Sequence, residues 1–320
     1  METFSRKFPP EINQGVFDMS ILVVGSVAFD SVKTPFGNVN DVLGGSATYF
    51  STSASYFTDV RLVAVVGTDF PDEHVEMLKT RGVDVEGLRK VPGKTFRWRG
   101  YYEYDLNQAH TLETQLNVFS GFDPDIPESY RDCEYVFLAN IDPVLQLKVL
   151  DQVRNPKLVA CDTMNFWIEG KPDELRKLLK RVELFVINEG EAREFTGQSS
   201  LVKAARKILD MGPSTLIVKR GEYGALMFNA RSVFSAPAYP LEDIFDPTGA
   251  GDSFAGGLVG YLASTGDLTE ENFRKAMIFG SVMASYNVEA FSLGRLGSLD
   301  IEDIRSRYND FKRLTHFEDL

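Results

Sequence analysis

The chain has 320 residues, with 34 Lys and Arg against 46 Asp and Glu, a net charge of −12. That sign excludes non-specific binding to nucleic acid or to an anionic membrane, since both need clustered Lys and Arg; a small anionic ligand needs only a local positive field. Two cysteines outside any CxxC pair and three scattered histidines build neither a disulfide framework nor a His-based zinc site.

Apolar residues make up 43% and charged residues 25%, an ordinary soluble mix. No apolar run reaches the roughly 18 residues that span a bilayer. The opening METFSRKFPPEINQGVFDMS lacks the apolar core of a secretory signal, so a reduced, cytoplasmic protein is expected. Residues 1–18 are polar, contain Pro9 and Pro10, and are read as a tail ahead of one folded unit over 19–320. Ile21-Leu22-Val23-Val24 is a short apolar run ended by Gly25, the pattern of a buried parallel strand. Residues 31–41 are polar and turn-rich, with Pro35, Gly37, Asn38 and Asn40. A helix is expected over 46–57, opened by Gly44-Gly45, then a buried strand over 60–66 and a helix over 72–80 closed by Arg81-Gly82.

From 94 to 119 the pattern changes. Phe96, Trp98, Tyr101, Tyr102 and Tyr104 are interleaved with polar residues, which predicts exposed antiparallel strands. Strand and helix then alternate: strands over 135–139, 158–161, 184–187 and 215–218, helices over 144–153, 173–180, 191–196 and 201–211, and a small hairpin over 225–228 and 233–236. Past Asp246 the chain is mostly helical, over 250–263, 270–287 and 301–313. This order predicts an α/β protein: a doubly wound, mostly parallel sheet covered on both faces, with a small β-sheet lid formed by 31–43 and 94–119.

The sharpest feature is Asp246-Pro247-Thr248-Gly249-Ala250-Gly251-Asp252-Ser253-Phe254, a polar loop running into a helix of small apolar residues. Its glycines allow close backbone approach, and the helix start aims free N–H groups at the same place, an anion hole suited to phosphate. The plainer alternative is a capped helix after a Gly-rich turn, with Asp252 favouring the dipole. Asp30 lies just past the first strand, where a carboxylate faces the crevice of an open α/β sheet. It suits a polyol, by accepting two hydroxyl hydrogen bonds, or a turn cap.

DPTGAGDSFAGG resembles the C-terminal signature of the ribokinase-like (PfkB) carbohydrate kinases. In the same order, Gly25 to Asp30, Gly44-Gly45-Ser46-Ala47, Asn188-Glu189-Gly190-Glu191 and Lys219 to Gly224 resemble that family's other motifs, over a stretch from about Met19 to the last helix. The resemblance implies a ribokinase-like fold and ATP- and Mg2+-dependent phosphorylation of an alcohol group on a sugar or sugar-like molecule. It implies Asp252 as the base that takes the hydroxyl proton, and the N–H groups of Gly249, Ala250 and Gly251 as the anion hole. Asn188 and Glu191 would organise Mg2+ through water; a helix cap explains the same pair. Asn188, Lys219, Gly221, Gly224 and Ser281 would line the nucleotide, although Gly221 to Gly224 also suit a hairpin turn. Asp246 matches a backbone contributor to a monovalent-cation site, for instance for K+. Asp30, Gly44 and Gly45 would hold the acceptor, with Asp142 and Asn165 as further candidates at crevice-side ends of two later strands.

Two positions depart from the sugar-kinase pattern: Ala28 and Tyr49 stand where Asn is common. Both lose an amide, and Tyr49 adds a ring, which keeps a nucleoside acceptor (adenosine, cytidine or inosine) open; the ring serves a core equally well. Arg97, Arg99, Tyr102 and Asn107 on the lid are further candidates for substrate contact, while its aromatics also suit a homodimer through the lid. The rival from another class is a non-catalytic ligand-binding protein on the same scaffold.

Overall fold

The computed structural model describes residues 19–316 and 318, so the tail assigned to 1–18 lies outside the described residues. In chain order come β1 (Ile21–Val24), β2 (Ala28–Thr34), β3 (Gly37–Gly44), α1 (Ser46–Ala54), β4 (Val60–Gly67), α2 (Asp72–Thr80) and β5 (Val83–Val91). Then follow β6 (Phe96–Tyr102), β7 (Ala109–Gln115), β8 (Tyr135–Leu138), α3 (Pro143–Leu150), β9 (Leu158–Asp162), α4 (Asn165–Gly170) and α5 (Pro172–Leu179). The rest are β10 (Leu184–Asn188), α6 (Glu189–Thr196), α7 (Leu201–Leu209), β11 (Thr215–Lys219), β12 (Ala225–Asn229), β13 (Val233–Ala236), α8 (Ala250–Thr265), α9 (Glu270–Asn287) and α10 (Ile301–Thr315).

The four residues of β1 are fully buried, and their alternation explains the layers. Ile21 and Val23 join Phe254, Leu258 and Met277 of α8 and α9, while Leu22 and Val24 join Leu175, Leu178 and Ile208 of α5 and α7. Successive strand side chains point to opposite faces, so an unbroken apolar run needs helices on both sides. Each such side chain stabilises the fold by about 1.5–3 kcal/mol relative to exposure. The large sheet has nine strands in the order β13-β12-β11-β10-β9-β8-β1-β4-β5, parallel except for β12 and β13. Among the described residues no helix is long and apolar enough to cross a membrane.

The second sheet has the order β3-β2-β6-β7. Most of the turn-rich stretch 31–41 is therefore strand, and only Pro35 and Phe36 form the turn between β2 and β3. Pro fixes the φ that opens such a turn. The β2–β3 and β6–β7 pairs are antiparallel, but β2 and β6 run parallel. Each enters from the same end of a strand of the large sheet, β2 after β1 and β6 after β5, so they share a direction. Two elements were not expected from the sequence. One is β5, an edge strand with exposed charged residues; charges are common on edges and break the apolar run that marks a buried strand. The other is the six-residue α4, too short to show a period.

Candidate active site

The start of α8 is held from several sides. Asp246 is buried; its Oδ1 accepts from the Thr248 N–H at 2.9 Å and its Oδ2 from the Ser292 N–H at 3.3 Å. Asn287 on α9 donates to the Thr248 carbonyl at 2.8 Å and accepts from the Ser253 hydroxyl at 3.0 Å. Gly249 caps the helix at φ 75°, in the left-handed region that favours glycine. A methyl group there would also fall 2.4 Å from the Tyr49 ring, so the residue has no substitute on two counts. No side chain caps α8, and among the described residues the Gly251 N–H has no hydrogen-bond partner. An unspent N–H at a helix start is the physical content of an anion hole.

Around that start the parallel strands deliver charge from their C-terminal ends. Lys219 ends β11 beside Asn188, which ends β10. Its Nζ lies against Gly251, where a methyl group would come within 2.5 Å. Asp162 ends β9, is buried, and has an Oδ1 with no hydrogen-bond partner. Burial pushes the Asp252 carboxyl up to about 6, against the pull of the Lys219 ammonium and of its own N–H. Burial also raises Asp162, helped by the nearby charge of Asp252 and opposed by Lys219. Glu191 is raised by burial and again opposed by Lys219. One ammonium thus stands among three carboxylates. Glu191 also completes a capping box at α6, accepting from the Asn188 N–H at 3.0 Å while Asn188 Oδ1 accepts from the Glu191 N–H at 2.8 Å. The cap reading of this pair is realised, and Glu191 also feels the charge of Asp252.

Asp30 enters from the small sheet. A methyl group on Gly44 would fall 1.9 Å from its Oδ2, so that glycine makes room for the carboxylate. Gly45, at φ 94°, donates its N–H to Asp30 and lies too close to the Ser26 carbonyl for a side chain. Burial pushes Asp30 up to about 7, and Asp246 and Asp252 add repulsion. Tyr49 is fully buried, its hydroxyl has no partner, and it feels the charges of Asp30, Asp246 and Asp252. It is both core and site wall. Tyr102 of β6 reaches the same group, accepting a 3.4 Å hydrogen bond from Thr248.

Other candidates have local work. Asp142 caps α3 through the Val144 N–H at 2.9 Å and pairs with Lys171. Asn165 is exposed at the start of α4. Ser281 is buried in α9. Gly221 and Gly224 close a tight turn, and Gly224 lies under the backbone of 236–238. Asn107, on the β6–β7 connection, sets its Oδ1 against Gly221, so the small sheet touches the loop after β11. Arg97 is paired with Asp69 at 2.8 Å and with Asp41 at 3.3 Å, and Arg99 with Glu113 at 2.6 Å. Trp98 lies over Gly100 within its own sheet. The residue the sequence reading missed is Asp162. Its signal was available: a carboxylate directly after the apolar run 158–161, where an open α/β sheet meets its ligands.

The cluster offers hard oxygen donors, including the orphaned Asp162 Oδ1, and a surplus of negative charge. Among the described residues no three His, Cys, Asp or Glu side chains form a ready metal cage. That combination fits Mg2+, which keeps most of its waters and takes few protein ligands. A cavity lined by Lys157, Glu183, Asn229 and Glu270 lies at the opposite ends of β9 to β11 and shares no residue with this cluster.

The profile of the pfkB family carbohydrate kinases matches residues 16–296. A cytidine kinase of Thermococcus kodakarensis is 34% identical over 249 residues, 76% of this chain and 88% of the relative. A deoxyribokinase of Salmonella typhi is 33% identical over 260 residues, 74% of this chain and 79% of the relative. Among solved structures, the nucleoside kinase of Methanocaldococcus jannaschii, of the ribokinase family, superposes with a TM-score of 0.74 at 20% identity, covering 91% of this chain and 98% of that one. A putative ribokinase II from E. coli, in complex with ATP and Mg2+, gives 0.75 at 18% identity, covering 91% and 99%.

Proposed function

The chain belongs to the pfkB family of carbohydrate kinases, phosphotransferases acting on an alcohol, and from that premise we propose that it is an ATP- and Mg2+-dependent nucleoside kinase with a cytidine-like acceptor. The single observation that carries the chemistry is Asp252: a carboxylate raised to about 6 beside an unspent helix N–H and an ammonium. A base with a pKa near the working pH is the efficient one. Asp252 takes the proton of the acceptor hydroxyl as its oxygen bonds to the γ-phosphorus. The N–H groups at Gly249 and Gly251 meet the phosphate oxygens, while that of Ala250 donates to the Pro247 carbonyl at 3.2 Å. Asp30 accepts hydrogen bonds from the acceptor's remaining hydroxyls, against the backbone of Gly44 and Gly45. Asn188, Lys219, Gly221, Gly224 and Ser281 line the nucleotide.

Asn188, Glu191 and Asp162 would hold Mg2+ through its waters, and the ion when bound neutralises phosphate charge. Asp246 pins the Thr248 to Gly249 turn and contributes to a monovalent-cation site for K+. The small sheet acts as a lid: Tyr102 and Asn107 bridge to the two loops that meet the substrates, and closure keeps water from taking the phosphoryl group.

The cytidine-like acceptor rests on the 34% relative and on Tyr49, whose ring replaces an amide at the crevice wall. A free pentose is the second reading, favoured by the deoxyribokinase relative. An ADP-release assay over cytidine, adenosine, inosine, ribose and deoxyribose separates them. Cytidine as the best acceptor by kcat/KM is the expected result. A pentose preferred over every nucleoside overturns the acceptor, and no acceptor raising ADP release above background overturns the kinase.

A further inference from the structure

We infer that Lys219 is a catalytic group, gripping the phosphoryl group in flight rather than only the resting nucleotide. The inference rests on the kinase reading above and assigns one residue within it.

Three observations converge. The Lys219 ammonium makes no hydrogen bond and no ion pair among the described residues, although three carboxylates act on it. A lysine kept for structure docks onto one of its acids; this one is held between them with its three donors unspent. Its Nζ lies against Gly251, whose own N–H is also unspent. Lys219 and Gly251 therefore present donors side by side at the helix start that Asp252 enters one residue later. Finally, Asp162, fully enclosed and with an unpartnered oxygen, points to a ligand shared by this cluster. Donors converging beside a proton acceptor suit an anion with several oxygens.

During transfer the acceptor oxygen bonds to the γ-phosphorus while the bond from that phosphorus to the β–γ bridging oxygen breaks. ADP leaves with the electron pair, and the hydroxyl proton goes to Asp252. Charge spreads over the peripheral oxygens and the leaving oxygen. A point charge fixed at Gly251 favours that distribution over the ground state, which is what raises kcat.

The test compares Lys219→Met and Lys219→Arg with the wild-type enzyme in full-length form. The probes are ATP turnover with the best acceptor and the binding of ADP with aluminium fluoride and that acceptor, a transition-state mimic. Lys219→Met should lower kcat by about 10²–10³-fold, as losing an oxyanion donor does. It should bind ADP alone within threefold of wild type and lose the tight binding of the mimic. Lys219→Arg should recover at least tenfold of the lost kcat. Retained ADP affinity reports an intact fold. A Met variant with wild-type kcat, or with an unchanged affinity for the mimic, overturns the inference while leaving the kinase reading in place. So does a loss seen wholly in ATP affinity, because a ground-state contact moves binding and not turnover. A wild-type enzyme that turns over no acceptor removes both together.

Discussion

The start of α8 and the small sheet each send a carboxylate into one cluster, and the two end in different states. Asp252 and Asp30 are both pushed up by burial, but Asp252 settles near 6 and Asp30 near 7. The difference lies in their neighbours. Asp252 has the Lys219 ammonium and an N–H of its own helix start, whereas Asp30 has one N–H, from Gly45, and two repelling acids. Desolvation alone disfavours the charged form of either group; a cation beside one of them keeps it available as a base. A polyhydroxyl acceptor suits the second position, where hydroxyl donors supply what the protein leaves out.

The strongest way to break this comparison is Asp252→Asn, which keeps shape and capping ability but takes no proton. It should lower kcat by about 10²–10⁴-fold with ATP affinity little changed. In the wild type, kcat/KM should fall as pH drops through about 6, because the base must be ionised. Rate–pH profiles and single-point kinetics check both, and a kcat within about threefold of wild type removes Asp252 as the base.

Asp30→Asn probes the other carboxylate. Losing its charged hydrogen bonds, worth about 1.5–3 kcal/mol, should cut acceptor kcat/KM by roughly 10–150-fold while sparing ATP. Stability should move the opposite way. Between the ordinary 3.8 and about 7, the folded chain keeps a proton on Asp30 that the unfolded chain has lost. Folded-state stability therefore declines as pH rises through that window, by on the order of 4 kcal/mol from this one group. Thermal melts should show Asp30→Asn more stable than wild type at pH 8 and equal to it near pH 4. Equal melting at both pH values would mean that Asp30 is not held up by burial.

Glu191→Gln tests the metal side of the Asp252 wall. Gln completes the capping box as Glu does, so the fold should stand, while the Mg2+ needed for half-maximal rate should rise about 10–100-fold. An unchanged Mg2+ titration assigns Glu191 to the cap alone. The smallest effect is expected from Tyr102→Phe, which removes one long hydrogen bond from the Asp30 side. It should slow turnover about 2–10-fold, the worth of a single net hydrogen bond. A variant indistinguishable from wild type would show that the Tyr102 hydroxyl plays no part in closure.

Much of this was legible in local sequence. The apolar run of β1, the helix α9 over Glu270–Asn287 and the glycine string before Asp252 each announce themselves within a few residues. Gly249 and Asp252 could be named because their chemistry depends on a loop and helix start built from consecutive residues. Asp162 could not be separated from Asp142 and Asn165 in this way, since all three follow strands near the crevice. The structure divides them: Asp142 spends its carboxylate on a cap and on Lys171, Asn165 is exposed, and Asp162 is buried with an oxygen to spare. The edge strand β5 escaped because its charged residues suit an edge and hide the apolar signal.

By itself, then, the sequence determined the doubly wound α/β class, the glycine-lined start of α8 and the family resemblance, because each is written in short-range patterns of apolar spacing and backbone freedom. Only the tertiary structure decided that Lys219 lies on Gly251, that the Tyr49 ring lies under Gly249, and that Asp30 from the small sheet shares a cluster with Asp252. Those contacts join residues far apart in the chain, and their energies follow from sheet order and burial. A carboxylate's charge state depends on which neighbours folding brings to it, and that is not written in the residues beside it.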